Sequence, residues 1–279
     1  MSERIEFYDY RGEPQAEEGE NVPVDVESAV ESEEGDKERL FQDSMFRLIE
    51  KVVKRPESKI GEGKTADVFY PDEDPNICLK VIVDRDTHGK VPDRVLPSKK
   101  DKPWFRPVEK EAEFLAALAH VDTRARVPKP LVSAVFDRED EGEHEGKPFY
   151  VKETVKVLAM ERLDAVSLRD VFDGKEEPPP NFSRESFVKD LRDFTGKMHQ
   201  QGIHHRDMHA GNVLIHRKEA TPRIIDFGAA AFASAESAEA YFEETIIDGK
   251  PIMLKFKPDV EWVDEIDREL TKRERVLNK

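Results

Sequence analysis

Cysteine is almost absent: Cys78 is the one thiol in 279 residues. A single cysteine cannot build an intramolecular disulfide framework, so packing must hold the fold, and a reducing, cytoplasmic setting is expected. Long apolar runs are missing as well, and no stretch is long enough to span a bilayer. The first thirty residues are rich in Glu and Asp and lack both the basic cluster and the apolar stretch of a secretory signal. Net positive charge is also lacking. Lys and Arg number 45 against 61 Asp and Glu, a formal charge of −16. General binding to nucleic acid or to anionic membranes is therefore not expected, because both surfaces would repel the average field of the protein. The hydrophobic content of 37% is adequate for the core of one two-lobed unit with a tail.

The tail is expected over residues 1–37, where acidic side chains dominate and large apolar ones are few. Such a stretch buries too little surface to offset its ordering entropy and reads as disordered. Over residues 38–56, Leu40, Phe41, Met45, Leu48, Ile49, Val52 and Val53 recur near the helical period. They predict an amphipathic helix that stops before Pro56 and packs on the adjoining domain. Short β-prone runs come next, around Val68 to Tyr70 and from Ile77 to Val83, joined by a turn containing Pro71, Asp72, Asp74 and Pro75. A polar, Lys-rich segment from Asp84 to Pro107 leads to a helix from Val108 to His120. Further strands are predicted at Leu131–Phe136 and Phe149–Met160, on either side of an acidic turn from Asp137 to Gly146.

After Leu163 the pattern is mainly helical, broken at Pro178 to Pro180. Ser183 is placed to cap a helix whose Phe187, Leu191, Phe194 and Met198 share one face and which ends near Gly202. The last stretch, Pro258 to Lys279, predicts one charged amphipathic helix with Val260, Val263, Ile266 and Leu270 on its apolar side.

The chemistry-bearing residues are concentrated in Ile203-His204-His205-Arg206-Asp207-Met208-His209-Ala210-Gly211-Asn212 and in Ile225-Asp226-Phe227-Gly228. Two carboxylates and an amide stand on loops between short apolar strands. Phosphoryl transfer needs such a set: one oxygen orients or accepts the nucleophile's proton, and others hold Mg²⁺ against nucleotide phosphates. Upstream, Ile60-Gly61-Glu62-Gly63-Lys64-Thr65-Ala66 offers glycines that let backbone approach phosphate closely. The embedded Gly-Lys-Thr is not a Walker loop, because Ser58 stands where that motif needs glycine and a strand comes after it instead of a helix.

These residues resemble the catalytic loop H-R-D-x-x-x-x-N, the D-F-G motif and the glycine-rich loop of protein kinases, with Ala66 in place of the third glycine. The resemblance covers about Ser58 to Ala230. It implies an α+β, two-lobed fold: an N-lobe of antiparallel sheet plus one helix over 57–163, and a reduced, mainly helical C-lobe over 164–279. It implies ATP and Mg²⁺ as cofactors and a hydroxyl-bearing acceptor. By the same mapping Asp207 is the catalytic base, and Asn212 and Asp226 are metal ligands. Lys80 lies on the phosphates, with Glu111 as its helix partner and Glu109 and Glu113 as fallbacks. Gly61 and Gly63 cover the phosphates. Val68, Cys78 and Leu214 flank the adenine, Met160 lies behind it, and Glu161 and Leu163 form the hinge. His205, Phe227 and Leu115 match the family's internal hydrophobic spine.

The pattern departs from typical protein kinases after Gly228, where Ala229-Ala230-Ala231-Phe232 leads to no A-P-E motif. His209 stands in the place of the loop Lys, as in aminoglycoside and choline phosphotransferases, but Glu161 to Asp207 is too short for their acceptor-binding insertion. Gly63 to Phe69 and Val127-Pro128-Lys129-Pro130 look like the atypical RIO-type kinases. An atypical, minimal Ser/Thr protein kinase is the leading expectation. The alternatives are a small-molecule kinase acting on a sugar, lipid headgroup or antibiotic, and a nucleotide-binding ATPase or pseudokinase switch.

Overall fold

The computed structural model describes residues 5–9, 43–45, 47–49, 59–62, 66–71, 74–88, 107–234, 238–247 and 250–277. Its contacts divide the chain into two units, Met1–Lys102 with Pro130–Arg162, and Pro103–Lys129 with Leu163–Lys279. Residues 103–129, with the helix Val108–Leu118 (α1), were expected in the first lobe but group with the second unit.

The first unit is a six-stranded antiparallel sheet. Its strands are β1 (Ile5–Asp9), β2 (Lys59–Glu62), β3 (Asp67–Phe69), β4 (Ile77–His88), β5 (Pro130–His144) and β6 (Lys147–Glu161), in the spatial order β1-β5-β6-β4-β3-β2. Alternation along the strands sends Phe69, Leu79, Val81, Val155, Val157 and Ala159 to one face, where they form a buried core with Met45 and Ile49. Residues 43–45 and 47–49 are helical, so this part of the expected amphipathic helix does pack on the sheet. Glu153 continues the core row, pinned by Arg85 on one neighbouring strand and Arg138 on the other.

Three expectations are corrected here. Ile5–Asp9 lies in the stretch read as a disordered tail, yet it pairs in register with Val132–Phe136, because backbone hydrogen bonding to an open sheet edge does not need a strongly apolar sequence. The strand β4 continues through Asp84 to His88, into the segment read as polar linker. The acidic stretch from Asp137 is strand and not turn. Opposite charges face each other across the ladder, as in Glu139 against Lys152, and the reversal falls at Glu145 and Gly146, both at positive φ. The basic segment from Lys90 to Arg106 lies outside the described residues.

Among its described residues the second unit holds α1, the strand β7 (Ala165–Ser167), the short helix α2 (Leu168–Phe172), α3 (Arg184–Gln200), α4 (Asp259–Leu277) and six further short strands. Ser183 caps α3, its hydroxyl accepting the Ser186 N–H. Phe187, Leu191, Phe194 and Met198 are buried along one face of α3, and Val263, Ile266 and Leu270 along α4; these two helices pack together. Val260 departs from its expected place and is 55% exposed, since Asp259, its neighbour, takes the inward position. The unit also has more strand than expected, including a hairpin of β12 (Phe242–Ile247) and β13 (Lys250–Lys255). Among the described residues no helix is long and apolar enough to cross a membrane.

Ile49→Ala should test the packing of the N-terminal helical residues on the sheet. Ile49 is fully buried, so truncation should cost about 2–5 kcal/mol, read as a lowered urea midpoint; an unchanged midpoint would mean that this segment does not contribute to the core.

Candidate active site

Strand pairing in the second unit fastens two loops side by side. The strands β8 (Ile203–His204) and β11 (Ala231–Phe232) pair at one end, and β9 (Val213–His216) and β10 (Pro222–Ile224) at the other. Residues 205–212 and 225–230 therefore run between the same two fastenings. Between them the Ile225 N–H donates to the Asn212 carbonyl at 3.0 Å, and His205 Nε2 lies 3.0 Å from the Ile225 carbonyl. A carbonyl only accepts, so Nε2 carries the hydrogen and Nδ1 is left to accept the Asp207 N–H at 3.3 Å.

Asp207 is 37% exposed at its side chain, whereas Asn212 is buried and spends its amide nitrogen on the Asp207 carbonyl at 2.8 Å. That bond leaves the Asn212 side-chain oxygen as the atom free to meet a cation. Asp226 adopts φ 65°, ψ 72°, a left-handed conformation that a non-glycine residue holds at a cost. Its carboxylate accepts the Gly228 N–H at 3.4 Å. One carboxylate and one amide oxygen, on adjoining loops, are hard oxygen donors of the kind Mg²⁺ selects, so the residues present fit that ion.

His209 stands beside Asp207, Nε2 to Oδ2 3.8 Å. Its Nδ1 accepts the Gly211 N–H at 3.0 Å, which fixes the ring with Nε2–H on the Asp207 side. A Cβ at Gly211 would lie 2.9 Å from His209 Cε1, so a larger residue there would push this ring aside.

Glu111, buried in the first turn of α1, accepts the Phe227 N–H at 3.2 Å. It thus ties α1 to the Asp226 loop. Glu113 instead pairs with Lys110 on the same helix. Phe227 packs on His205 with ring centroids 4.5 Å apart, and Leu115 is buried in α1. Leu163 and Leu214 are half-buried, although Val213 and Ile215 on either side of Leu214 are fully inside.

In the first unit the residues assigned to nucleotide share the sheet face opposite the core. Val68 pairs with Gly61 on one side and Lys80 on the other, and Cys78 pairs with Met160. Lys80 is 6% exposed, so it is not the solvent-facing lysine its strand position alone would suggest. Burial pushes the Cys78 thiol up to about 12, against the lowering effect of Arg162 and Lys80, leaving an unreactive apolar group. Glu161 ends its strand exposed, and Gly63 lies outside the described residues.

Sequence reasoning missed Asp259. Fully buried at the start of α4, its carboxylate accepts the N–H of His205 at 2.9 Å and of Arg206 at 2.8 Å, and it meets His199 Nε2 at 2.9 Å. Arg206 is thereby held at φ 68°, while its guanidinium bonds Ala240 O and Glu243. An Asp after Pro258 reads locally as a helix-start residue, so no sequence signal separated this one from an ordinary cap.

A sheet unit of antiparallel strands and a helical unit with paired carboxylate loops together have the make-up of a kinase-like α+β protein. Residues 146–247 match the protein kinase domain. The chain is 30% identical over 131 residues to the serine/threonine-protein kinase PknB of Mycobacterium leprae, covering 47% of this chain and 18% of that protein. PknB of Mycobacterium tuberculosis is 28% identical over 150 residues, 54% of this chain and 21% of its own length. A probable LIM domain-containing serine/threonine-protein kinase of Dictyostelium discoideum is 36% identical over 80 residues, 29% of this chain and 11% of that protein. The chain thus spans about a fifth or less of the length of these relatives. The likeness to these serine/threonine-protein kinases is thus one over part of their length.

Burial alone would raise the Asp259 carboxyl; the hydrogen bonds from His199 and from the His205 N–H outweigh it and hold the carboxyl below its ordinary value. A depressed carboxyl contributes stability above the unfolded value, ~3.9, and loses it as pH falls through the folded one. Asp259→Asn turns one acceptor into a donor facing other donors and should cost roughly 3 kcal/mol at neutral pH. The gap to wild type should narrow as pH falls below that unfolded value; a gap by urea unfolding that is constant with pH would show that the carboxylate charge is not what stabilises the loop.

Proposed function

We propose that the chain is an ATP-dependent phosphotransferase, an atypical, minimal Ser/Thr protein kinase that uses Mg²⁺. The observation that carries this reading is the joining of the Asp207–Asn212 loop to the Asp226 loop, with strand pairs at both ends and the Ile225–Asn212 bond between. Asp207, half-buried on its loop, orients the acceptor hydroxyl and takes its proton. The hydroxyl oxygen forms the new bond to the γ-phosphorus of ATP as the bond to the β–γ bridging oxygen breaks, and ADP leaves. Asn212 and Asp226 would hold the metal, which when bound neutralises phosphate charge. Lys80 is assigned to the phosphates, and Val68, Cys78, Met160, Leu163 and Leu214 to the base, with Glu161 and Leu163 supplying hinge backbone. The His209 ring beside Asp207 favours keeping a small hydroxyl-bearing acceptor as the second reading.

Radiolabelled ATP transfer, with autophosphorylation, generic proteins and a panel of small alcohols in parallel, tests the reading and separates the acceptors. Asp207→Asn should slow turnover by roughly two orders of magnitude or more while ATP affinity changes little. Lys80→Ala should slow transfer and also raise the nucleotide requirement. Near-normal transfer by Asp207→Asn would rule out this base and direct attention to His209. Asp226→Ala should abolish Mg²⁺-dependent ATP binding in a folded protein, and unchanged metal-dependent affinity would remove Asp226 as a ligand.

A further inference from the structure

Behind the Asp207 loop, Asp259 belongs to a buried knot of polar side chains that the phosphotransfer scheme leaves unused. Tyr241, at the end of the short 3-10 turn Ala238–Tyr241, places its hydroxyl 3.1 Å from His204 Nδ1 and 3.3 Å from His199 Nε2. The same hydroxyl accepts the Asp259 N–H at 3.3 Å. His204 Nε2 lies 3.3 Å from the Ser234 carbonyl, which can only accept, so Nε2 holds the hydrogen and Nδ1 is bare. The Tyr241 O–H therefore donates to His204, and its lone pairs face the Asp259 N–H and the His199 ring edge. His199 in turn gives its Nε2–H to the Asp259 carboxylate. Every polar atom in this chain of contacts has a consistent role with both rings uncharged.

His199, His204 and Asp259 are close enough together to suggest a metal centre. Their bonds already account for the donor atoms, however, and the two imidazoles stack at 4.4 Å with planes inclined 25°. Stacking sets the in-plane lone pairs alongside one another instead of toward one point.

The knot joins three pieces of chain that are far apart in sequence. His204 is on β8, immediately before the loop; Ser234 and Tyr241 lie beyond the Asp226 loop; Asp259 opens α4. What they converge on is the one carboxylate that takes the backbone N–H groups of His205 and Arg206. The hydroxyl of Tyr241 touches that residue's own N–H, so it sets where the carboxylate stands.

We propose that Tyr241 and His204 are positioning residues for phosphoryl transfer: they fix Asp259, which fixes the Arg206 backbone and so the direction in which Asp207 meets the acceptor. The phosphoryl-transfer half of this rests on the proposed phosphotransferase function. None of the knot's side chains is assigned to nucleotide or metal, so its loss acts on turnover and spares nucleotide affinity. Burial raises the Tyr241 hydroxyl, with the Asp259 charge adding to it, and burial lowers His204. Both directions agree with the uncharged pair.

The test uses the full chain and compares Tyr241→Phe, His204→Leu and His204→Asn, the last keeping an acceptor near the position of Nδ1. Tyr241→Phe and His204→Leu should lower kcat on the order of tenfold, the scale of a small misplacement of a reacting group, with KM for ATP within about twofold. His204→Asn should recover most of the loss. In the same variants, the amides of His205 and Arg206 should exchange hydrogen faster than in wild type. A merely structural role would lower the melting temperature with kcat per folded molecule unchanged, or raise KM in step with the loss of kcat; either overturns the proposal. If wild type itself transfers phosphate to no acceptor, the phosphotransferase reading fails on its own, and the amide exchange still decides the knot. Unchanged exchange at His205 and Arg206 in Tyr241→Phe then rejects it.

Discussion

A single buried carboxylate bears on most of the geometry of the loop that carries Asp207. Asp259 accepts two consecutive backbone N–H groups, from His205 and Arg206, in a place where water cannot substitute. Consecutive N–H groups in an extended chain point to opposite sides, so meeting one carboxylate fixes the backbone at His205, and the chain leaves this anchor through Arg206 at φ 68°. Arg206 thus holds a conformation that a non-glycine residue otherwise avoids, at a cost on the order of 1 kcal/mol or more. Charge-assisted hydrogen bonds in low dielectric are strong enough to hold it. Everything downstream on the loop, Asp207 first, inherits its direction from that turn.

The first unit obeys a different rule. Its sheet separates the core face from the other through strand alternation alone, with Leu79 and Val81 on the core face and Cys78 and Lys80 on the opposite one. The cross-strand row Gly61, Val68, Lys80, Leu158 is fixed by register, so a slip of one residue would send Lys80 into the core and Leu79 out of it. The core face, packed by Met45 and Ile49 as well as by the strands, is what makes that slip costly. Glu153 with its two arginines adds a polar register mark at the end of the row.

How far the sequence could be read depended on how local each determinant is. Asp207, Asn212 and Asp226 stand on loops between short strands, as their spacing suggested, because the motif and its strands lie within about two dozen residues of each other in the chain. Ser183 and the buried stripe of Phe187, Leu191, Phe194 and Met198 were legible for the same reason. The strand from Asp137 to His144 was not, since its many charges resemble a turn until each is set against its partner on the opposite strand. Asp259 could not be found locally at all: its partners are more than fifty residues away, and a lone Asp after a proline carries no mark of what it will meet. Val260 was misplaced as a consequence, because the inward direction at the start of α4 had already been taken.

The two histidines that flank Asp207 show how the loop controls its own donors. His205 Nδ1 accepts the N–H of Asp207, and His209 Nδ1 accepts the N–H of Gly211; each ring takes the amide two residues ahead. One bonding pattern, used twice, leaves Nε2–H as the outward donor in both cases. In His205 that donor is spent on the Ile225 carbonyl and joins the two loops. In His209 it faces Asp207 across 3.8 Å, too far for a direct hydrogen bond. An oxygen lying off that line can accept from the imidazole and donate to the carboxylate, which is the pair of contacts a hydroxyl group is able to make. A lysine at this position would bring charge without a fixed direction, whereas the imidazole, locked by the Gly211 amide, brings a donor of fixed direction.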